Sequence, residues 1–311
     1  MKLRVAARGS KLSLRQVEIA MEWFKRSIPD LEYEVVVVKT RGDIHQDKPF
    51  HMIGGKGVFE KEVNLAVLEG RADVAVHSLK DVPSVVDPRL VLAGVPPRDP
   101  PYDVIVVRRG AEPSLDALPE GAVVGTSSAR RRAAILHQRR DLRVEHLRGN
   151  VDTRLRKLLS GMYDAIILAE AGLVRLLPLL PSEIRDSISY ARLDPGVLPP
   201  APGQGVIGVY TLAERRDIVE ALRRASDERA LVEARAERAF LATFGGGCHV
   251  PVGALARLEG GSLRLTAVLY SQDGSKRIVV EEEGDPEDPE HLGVLVGLEL
   301  RRRAREEGVA A

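Results

Sequence analysis

Residues 3–39 read LRVAARGSKLSLRQVEIAMEWFKRSIPDLEYEVVVVK, and this stretch decides the fold class. Residues 3–7 form a short apolar run, 13–28 carry apolar side chains at helical spacing, and 35–39 are a second, β-branched run. Strand, helix and strand at these lengths make a βαβ unit, the building block of a sheet with helices packed on it. Working outward, the spacing predicts a helix over 58–68 and a strand over 73–77. The alternation resumes with strands at 104–107, 123–125, 144–147 and 165–169 and helices at 130–137 and 153–159. The fold class expected is therefore α/β.

Two proline clusters, Pro96-Pro97 with Pro100-Pro101 and Pro199-Pro200 with Pro202, bracket the second α/β stretch. Proline favours stiff extended connections, so they read as paired hinges. Gly203-Gln204-Gly205 and the apolar run 206–210 follow, and that run is placed to return the chain to the first sheet. A double crossover of this kind predicts a cleft between two α/β domains. The remainder shows helices at 214–225, 228–240 and 290–304 and strands at 263–270 and 277–281, an α+β pattern. The expected domains are 1–97 with 203–216, then 98–202, and a small C-terminal α+β domain over 217–311 that carries the single cysteine.

With 44% hydrophobic and 29% charged residues and a net charge of +1, the 311-residue chain has an ordinary globular composition without the basic excess of a non-specific nucleic-acid binder. No signal peptide is legible at the N-terminus and no apolar stretch reaches membrane-spanning length, so a cytoplasmic protein is expected. A lone cysteine excludes an intramolecular disulfide and a multi-cysteine zinc site. Cys248 is then either an inert buried residue or a chemically used thiol. It follows Gly245-Gly246-Gly247 and precedes His249, an accessible setting in which a thiolate of lowered pKa would capture a carbon electrophile. No His, Asp or Glu cluster has metal-ligand spacing.

In open α/β sheets ligands bind beyond the carboxyl ends of the strands. The polar residues that follow the apolar runs are Arg8, Gly9 and Ser10; Lys80 and Asp81 after His77; Thr126, Ser127 and Ser128 leading into Arg130 and Arg131; and Arg148, Gly149 and Asn150 before Arg154. Hydroxyls and backbone N–H groups at helix N-termini suit anions, and guanidinium forks suit carboxylates. Between 130 and 157 about ten Lys or Arg face three acids, so a multiply anionic ligand is expected. Arg139, Arg140, Arg156 and Lys157 read better as solvated helix faces. Gly54-Gly55-Lys56-Gly57 lacks Walker spacing and reads as a loop, Arg41-Gly42-Asp43 as a turn, and His77 as an ordinary strand-end histidine.

Taken together, Ala7-Arg8-Gly9-Ser10, Val76 to Pro83 (VHSLKDVP), Gly125 to Arg131 (GTSSARR), Leu147 to Leu155 (LRGNVDTRL), Pro202-Gly203-Gln204-Gly205 and Gly246-Gly247-Cys248 resemble the porphobilinogen deaminase (hydroxymethylbilane synthase) family, in family order and over nearly the whole chain. The resemblance implies three domains, the first two like a periplasmic anion-binding protein, and a dipyrromethane cofactor on Cys248 through a thioether. It implies that Asp81 is the catalytic carboxylate. Cofactor contacts fall on Lys80, Asp81, Thr126, Ser128, Arg130, Arg131 and Arg154, and substrate contacts on Arg8, Ser10, Arg148, Arg175 and Gln204. The implied activity is condensation of four porphobilinogen molecules by a monomeric transferase of haem and tetrapyrrole biosynthesis, without metal, nucleic acid or membrane. Pro101 and Met52 depart from the family pattern where basic residues are common, which bears on peripheral carboxylate contacts. A two-lobed binding protein for an anionic metabolite is the competing reading, because paired lobes describe solute receptors equally well.

Overall fold

The computed structural model describes residues 1–40, 60–245 and 250–309. Arg41 to Asp43, Met52, the Gly54 to Gly57 loop and Cys248 lie outside the described residues. The strands, in chain order, are β1 (Lys2–Arg8), β2 (Glu32–Val38), β3 (Val74–Ser78), β4 (Leu90–Gly94), β5 (Asp103–Arg108), β6 (Val123–Gly125), β7 (Arg143–Glu145), β8 (Ala165–Ala169), β9 (Ile188–Arg192), β10 (Ile207–Leu212), β11 (Val252–Glu259), β12 (Ser262–Tyr270) and β13 (Arg277–Gly284). The principal helices are α1 (Lys11–Lys25), α2 (Lys61–Leu68), α3 (Ala129–Gln138), α4 (Val151–Leu159), α5 (Glu170–Leu176), α6 (Arg216–Arg224), α7 (Glu228–Phe244) and α8 (Pro289–Glu306). The chain forms two compact units, one of residues 1–99 with 205–232 and one of 100–204 with 233–311.

The first unit is built on a five-stranded sheet in the order β2-β1-β3-β10-β4, with β1 parallel to β2 and β3 and β10 antiparallel to β3 and β4. Val17, Met21 and Phe24 of α1 bury against Leu3, Val5, Val74 and Val76, while α2 packs on β1 and β3 with its own buried Val63 and Val67. With helices packed on them, β1 and β3 read as continuous apolar runs rather than alternating ones. The run following the second proline cluster does become β10 of this sheet. Helix α6, which the expected boundary at 216 assigned to the third domain, instead contributes Ile218 and Leu222 to this core. Its amphipathic stripe is satisfied by β4 and Phe24, a tertiary choice that composition alone does not reveal.

In the second unit the five-stranded sheet runs β7-β6-β8-β5-β9, with β6 parallel to β7 and β8 and β5 antiparallel to β8 and β9. Its plan repeats that of the first: three parallel strands from a βαβαβ run, then one antiparallel strand, then an edge strand. The inserted strand is β10 in one sheet and β5 in the other, the strands that immediately follow the two proline clusters. The β11-β12-β13 meander is antiparallel and carries α8. Val268 and Tyr270 of β12 join Ile105, Val124 and Ile135 in one core, so the meander shares apolar interior with the second sheet. Two buried carboxylates of α7 serve the edge strand β11: Glu237 accepts from Ala256 N at 2.8 Å and Glu233 from Leu258 N at 3.2 Å.

Among the described residues no helix is long and apolar enough to cross a membrane. Because Leu222 is fully buried in the first core, Leu222→Ala should cost about 2–5 kcal/mol, read as a lower denaturant midpoint at unchanged m-value.

Candidate active site

In the first unit the neighbouring parallel strands β1 and β3 end together, and each is followed at once by polar residues. Arg8 is the last residue of β1. Ser10 caps α1, its hydroxyl accepting from Ser13 N at 3.2 Å, so the cap is spent on the helix N-terminus while the residue stays half-buried. After β3 the chain makes a 3-10 turn, Leu79–Asp81, anchored by the buried Leu79. That anchor leaves Lys80 half-buried and Asp81 exposed. Gln16, buried on α1, donates to Ser78 Oγ at 2.7 Å and ties the helix to the start of this turn. Both residues escaped sequence reading, since neither glutamine inside a helix nor serine at a strand end stands out.

His77 lies directly behind this turn, 7% exposed, with Nε2 2.8 Å from Asn64 Oδ1 and its ring edge-on to Tyr210. Burial, reinforced by the positive charge of Arg8, depresses its pKa from 6.5 to about 3. The imidazole is neutral near pH 7, with Nε2 in hydrogen-bond contact with Asn64.

The second unit presents its own set beyond β6, β7 and β8. Thr126 is buried at the end of β6 and its hydroxyl accepts from Ser128 N at 3.2 Å. Ser128 caps α3 by accepting from Arg131 N at 3.4 Å, and Ser127 exchanges hydrogen bonds with Leu147 beyond β7, donating to the carbonyl at 2.9 Å and accepting from the N–H at 3.1 Å. Arg148 is half-buried, and burial lowers its proton affinity. Arg154 Nε donates to Gly149 O at 2.8 Å, which draws α4 onto the loop after β7. Arg175 lies on α5, directly after β8, and is buried.

Arg130 and Arg131 are also buried, at 5% and 6% exposure, and both bind Asp103. Arg130 Nη1 reaches Asp103 Oδ2 at 2.6 Å and also donates to Pro199 O; Arg131 reaches Asp103 Oδ1 at 2.6 Å and Ile167 O at 3.0 Å. Gln204, fully buried, donates from Nε2 to the same Oδ1 at 2.9 Å and to Pro101 O at 2.6 Å. Gly203 and Gly205 flank it at φ of 77° and 86°, in the left-handed region that a side chain would strain. The paired-glycine motif is thus the backbone condition for delivering Gln204 inward. Asp103 was absent from the expected set; an acid opening an apolar strand was the available signal, because such a charge must find partners when buried.

Two guanidinium groups share one carboxylate here, which leaves one positive charge uncompensated, and Arg131 Nε is buried with no hydrogen-bond partner. Burial alone would raise the Asp103 pKa, but the charges and hydrogen bonds of the two arginines hold it well below the usual carboxylate range. The excess charge and the orphaned donor suit a ligand rich in carboxylates.

Comparison with known proteins agrees with this chemistry. Residues 3–220 match the family profile described as porphobilinogen deaminase, dipyromethane cofactor binding domain, and residues 231–302 match the porphobilinogen deaminase C-terminal domain. A probable porphobilinogen deaminase of Hyperthermus butylicus is 64% identical, covering 100% of both chains. The chain belongs to the porphobilinogen deaminase family. A second probable porphobilinogen deaminase, from Pyrobaculum calidifontis, is 52% identical over 97% of this chain and 98% of its own, and the porphobilinogen deaminase of Roseiflexus sp. is 46% identical over 96% and 95%. Among solved structures, a double-mutant VFT2 domain of Bordetella pertussis BvgS has a TM-score of 0.45 at 17% identity, covering 72% of this chain and 86% of that one. Membership makes the chain a transferase with a dipyrromethane cofactor, and the donor set around Arg131 fits such a carboxylate-bearing group.

The neutral His77 carries a pH signature. Its folded pKa is depressed, so its contribution to stability is complete above 6.5 and is lost progressively as pH falls from 6.5 toward about 3. In that window wild type should lose stability with a steeper slope than His77→Gln, the difference approaching about 1.4 kcal/mol per pH unit, checked by denaturant titrations at stepped pH.

Proposed function

We propose that the chain condenses four porphobilinogen molecules head to tail, with loss of ammonia at each step, and releases hydroxymethylbilane by hydrolysis. The observation that carries this reading is the arginine pair of the second unit, which holds more positive charge than its shared acid neutralises; the first unit by itself presents an exposed carboxylate, Asp81, on a turn anchored by the buried Leu79. Each porphobilinogen brings two carboxylates, so an otherwise near-neutral protein has reason to gather guanidinium groups at strand ends.

Asp81 is the residue we assign to the reaction. Loss of ammonia from the aminomethyl arm leaves a cation spread onto the pyrrole nitrogen. A carboxylate facing that N–H stabilises the developing charge and then accepts the proton whose loss restores aromaticity. Among the described residues no hydrogen bond or ion pair engages the Asp81 carboxylate, so it enters the reaction unencumbered. Lys80, Thr126, Ser128, Arg130, Arg131 and Arg154 are read as holding cofactor carboxylates, and Arg8, Ser10, Arg148 and Arg175 as holding substrate. Gln204 is read as bracing that set, since its amide is spent on Pro101 and Asp103. The dipyrromethane supplies the free pyrrole carbon from which the product grows, and Cys248 is its attachment point in this reading.

We further read 100–204 and 233–309 as two domains sharing one core, and the protein as a cytoplasmic monomer acting without nucleic acid. The near-zero net charge and an aromatic content of 4% support the last point.

Asp81→Asn should keep the attached primer or trapped intermediates while turnover falls about 100-fold or more; near-normal turnover removes Asp81 from the chemistry. Cys248→Ala should show the bare polypeptide mass after incubation with porphobilinogen, whereas two added pyrrole rings on that variant would refute the attachment.

A further inference from the structure

β5 runs antiparallel to β8, so its first residue lies beside the last residue of β8: Asp103 pairs in register with Ala169. The antiparallel insertion thereby delivers a carboxylate to the edge where the parallel strands β6 and β8 present their polar ends. Asp103 has no exposed surface, and its two oxygens are divided between Arg130 on one side and Arg131 with Gln204 on the other. Arg131 is held further by Ile167 O and Arg130 by Pro199 O. Arg131 Nε, buried within this cluster, has no hydrogen-bond partner.

We propose that Asp103 is a positioning residue for the cofactor: it holds Arg130 and Arg131 in the one arrangement that leaves a single positive charge and a free N–H for a ligand carboxylate. It does so while tying the segment 199–204 to the start of β5. An arginine pair with no shared acid would repel, and the two side chains would separate toward water or toward other carbonyls. A pair with two acids would be neutral and indifferent to an anion. One carboxylate between two guanidinium groups keeps both side chains fixed and the cluster cationic. Gln204 adds a neutral donor to the same oxygen, which fixes the carboxylate without altering the charge count. Tyr270, the other ionisable group in the electrostatic environment of Arg130, donates its hydroxyl to Val197 O and receives a hydrogen bond from Arg277, so it adds no negative charge here.

This inference rests on the reading that these guanidinium groups take cofactor carboxylates. The test uses full-length primer-free chain incubated with porphobilinogen, with the primed fraction followed by intact mass and thermal unfolding recorded in parallel. Wild type that never gains the primer mass would defeat the underlying reading; differences between variants address Asp103. Asp103→Asn should prime at least tenfold more slowly than wild type and unfold at lower temperature. Asp103→Asn with Arg130→Gln returns the cluster to one positive charge. It should recover much of the unfolding midpoint yet prime at least fivefold more slowly than Arg130→Gln alone, in which Asp103 still holds Arg131. Should the double variant prime as fast as Arg130→Gln, or Asp103→Asn prime like wild type, Asp103 merely balances charge and the proposal is overturned. It is equally overturned if Arg130→Gln folds while every Asp103 variant does not, since the residue is then a folding counter-ion.

Discussion

A carboxylate with no exposed surface shared by two buried guanidinium groups is the constraint around which the second unit is organised. Removing one partner from such an arrangement costs about 3–5 kcal/mol, because a charge is left buried and alone. The cluster also fixes geometry. It joins the first residue of β5, the first turn of α3, the carbonyl of Ile167 in β8 and the segment that leaves the unit at 199–204. A second buried carboxylate, Glu237, grips the same segment from α7 by accepting from Gly203 N at 2.5 Å. Residues 203 and 204 are therefore held from two sides by acids that lie 134 positions apart in the sequence, 103 and 237.

The repeated sheet plan explains why the candidate side chains appear where they do. In each unit three parallel strands end at one edge, and the inserted antiparallel strand begins at that edge: Ile207 of β10 opposite Ser78, Asp103 of β5 opposite Ala169. Parallel strands supply loops and helix N-termini there, which bind anions through backbone N–H groups and caps. An antiparallel strand supplies its opening side chain at the same edge, with no loop needed. In the second unit that opening side chain is an acid, and it converts two helix-borne arginines from free cations into a fixed donor array.

Much of this is legible in the sequence. The apolar runs at 104–107 and 165–169 correspond to β5 and β8, because burial on both faces of a strand leaves a continuous apolar run, and the helical spacing over 130–137 corresponds to α3, whose one buried face repeats along the helix. Strands β4, β9 and β11 were not read. β9 is an edge strand with exposed Tyr190, and β4 is a five-residue strand with only part of its length buried, so neither shows the pattern of a central strand. Helix α5, which places Arg175, went unnoticed because its seven residues are short for a periodicity signal. The candidate residues on loops were read from their position after strands. Those acting through hydrogen bonds within the interior, Asp103, Gln16 and Asn64, were not, since their role depends on partners distant in sequence.

Burial separates the arginines that composition could only count. Arg139, in the basic stretch, pairs with Asp141 and donates to the carbonyls of Leu115 and Leu118, and Lys157 donates to Arg148 O. These two cations hold turns, so the expectation that they form solvated helix faces does not describe them. Exposed pairs such as Arg89 with Asp87 and Arg302 with Glu299 and Glu306 account for charge without setting geometry, because solvent screens them. Within a low-dielectric interior an unmatched guanidinium charge acts at full strength on whatever anion reaches it. The same group on the surface would act through water and be screened by salt over about 8–10 Å.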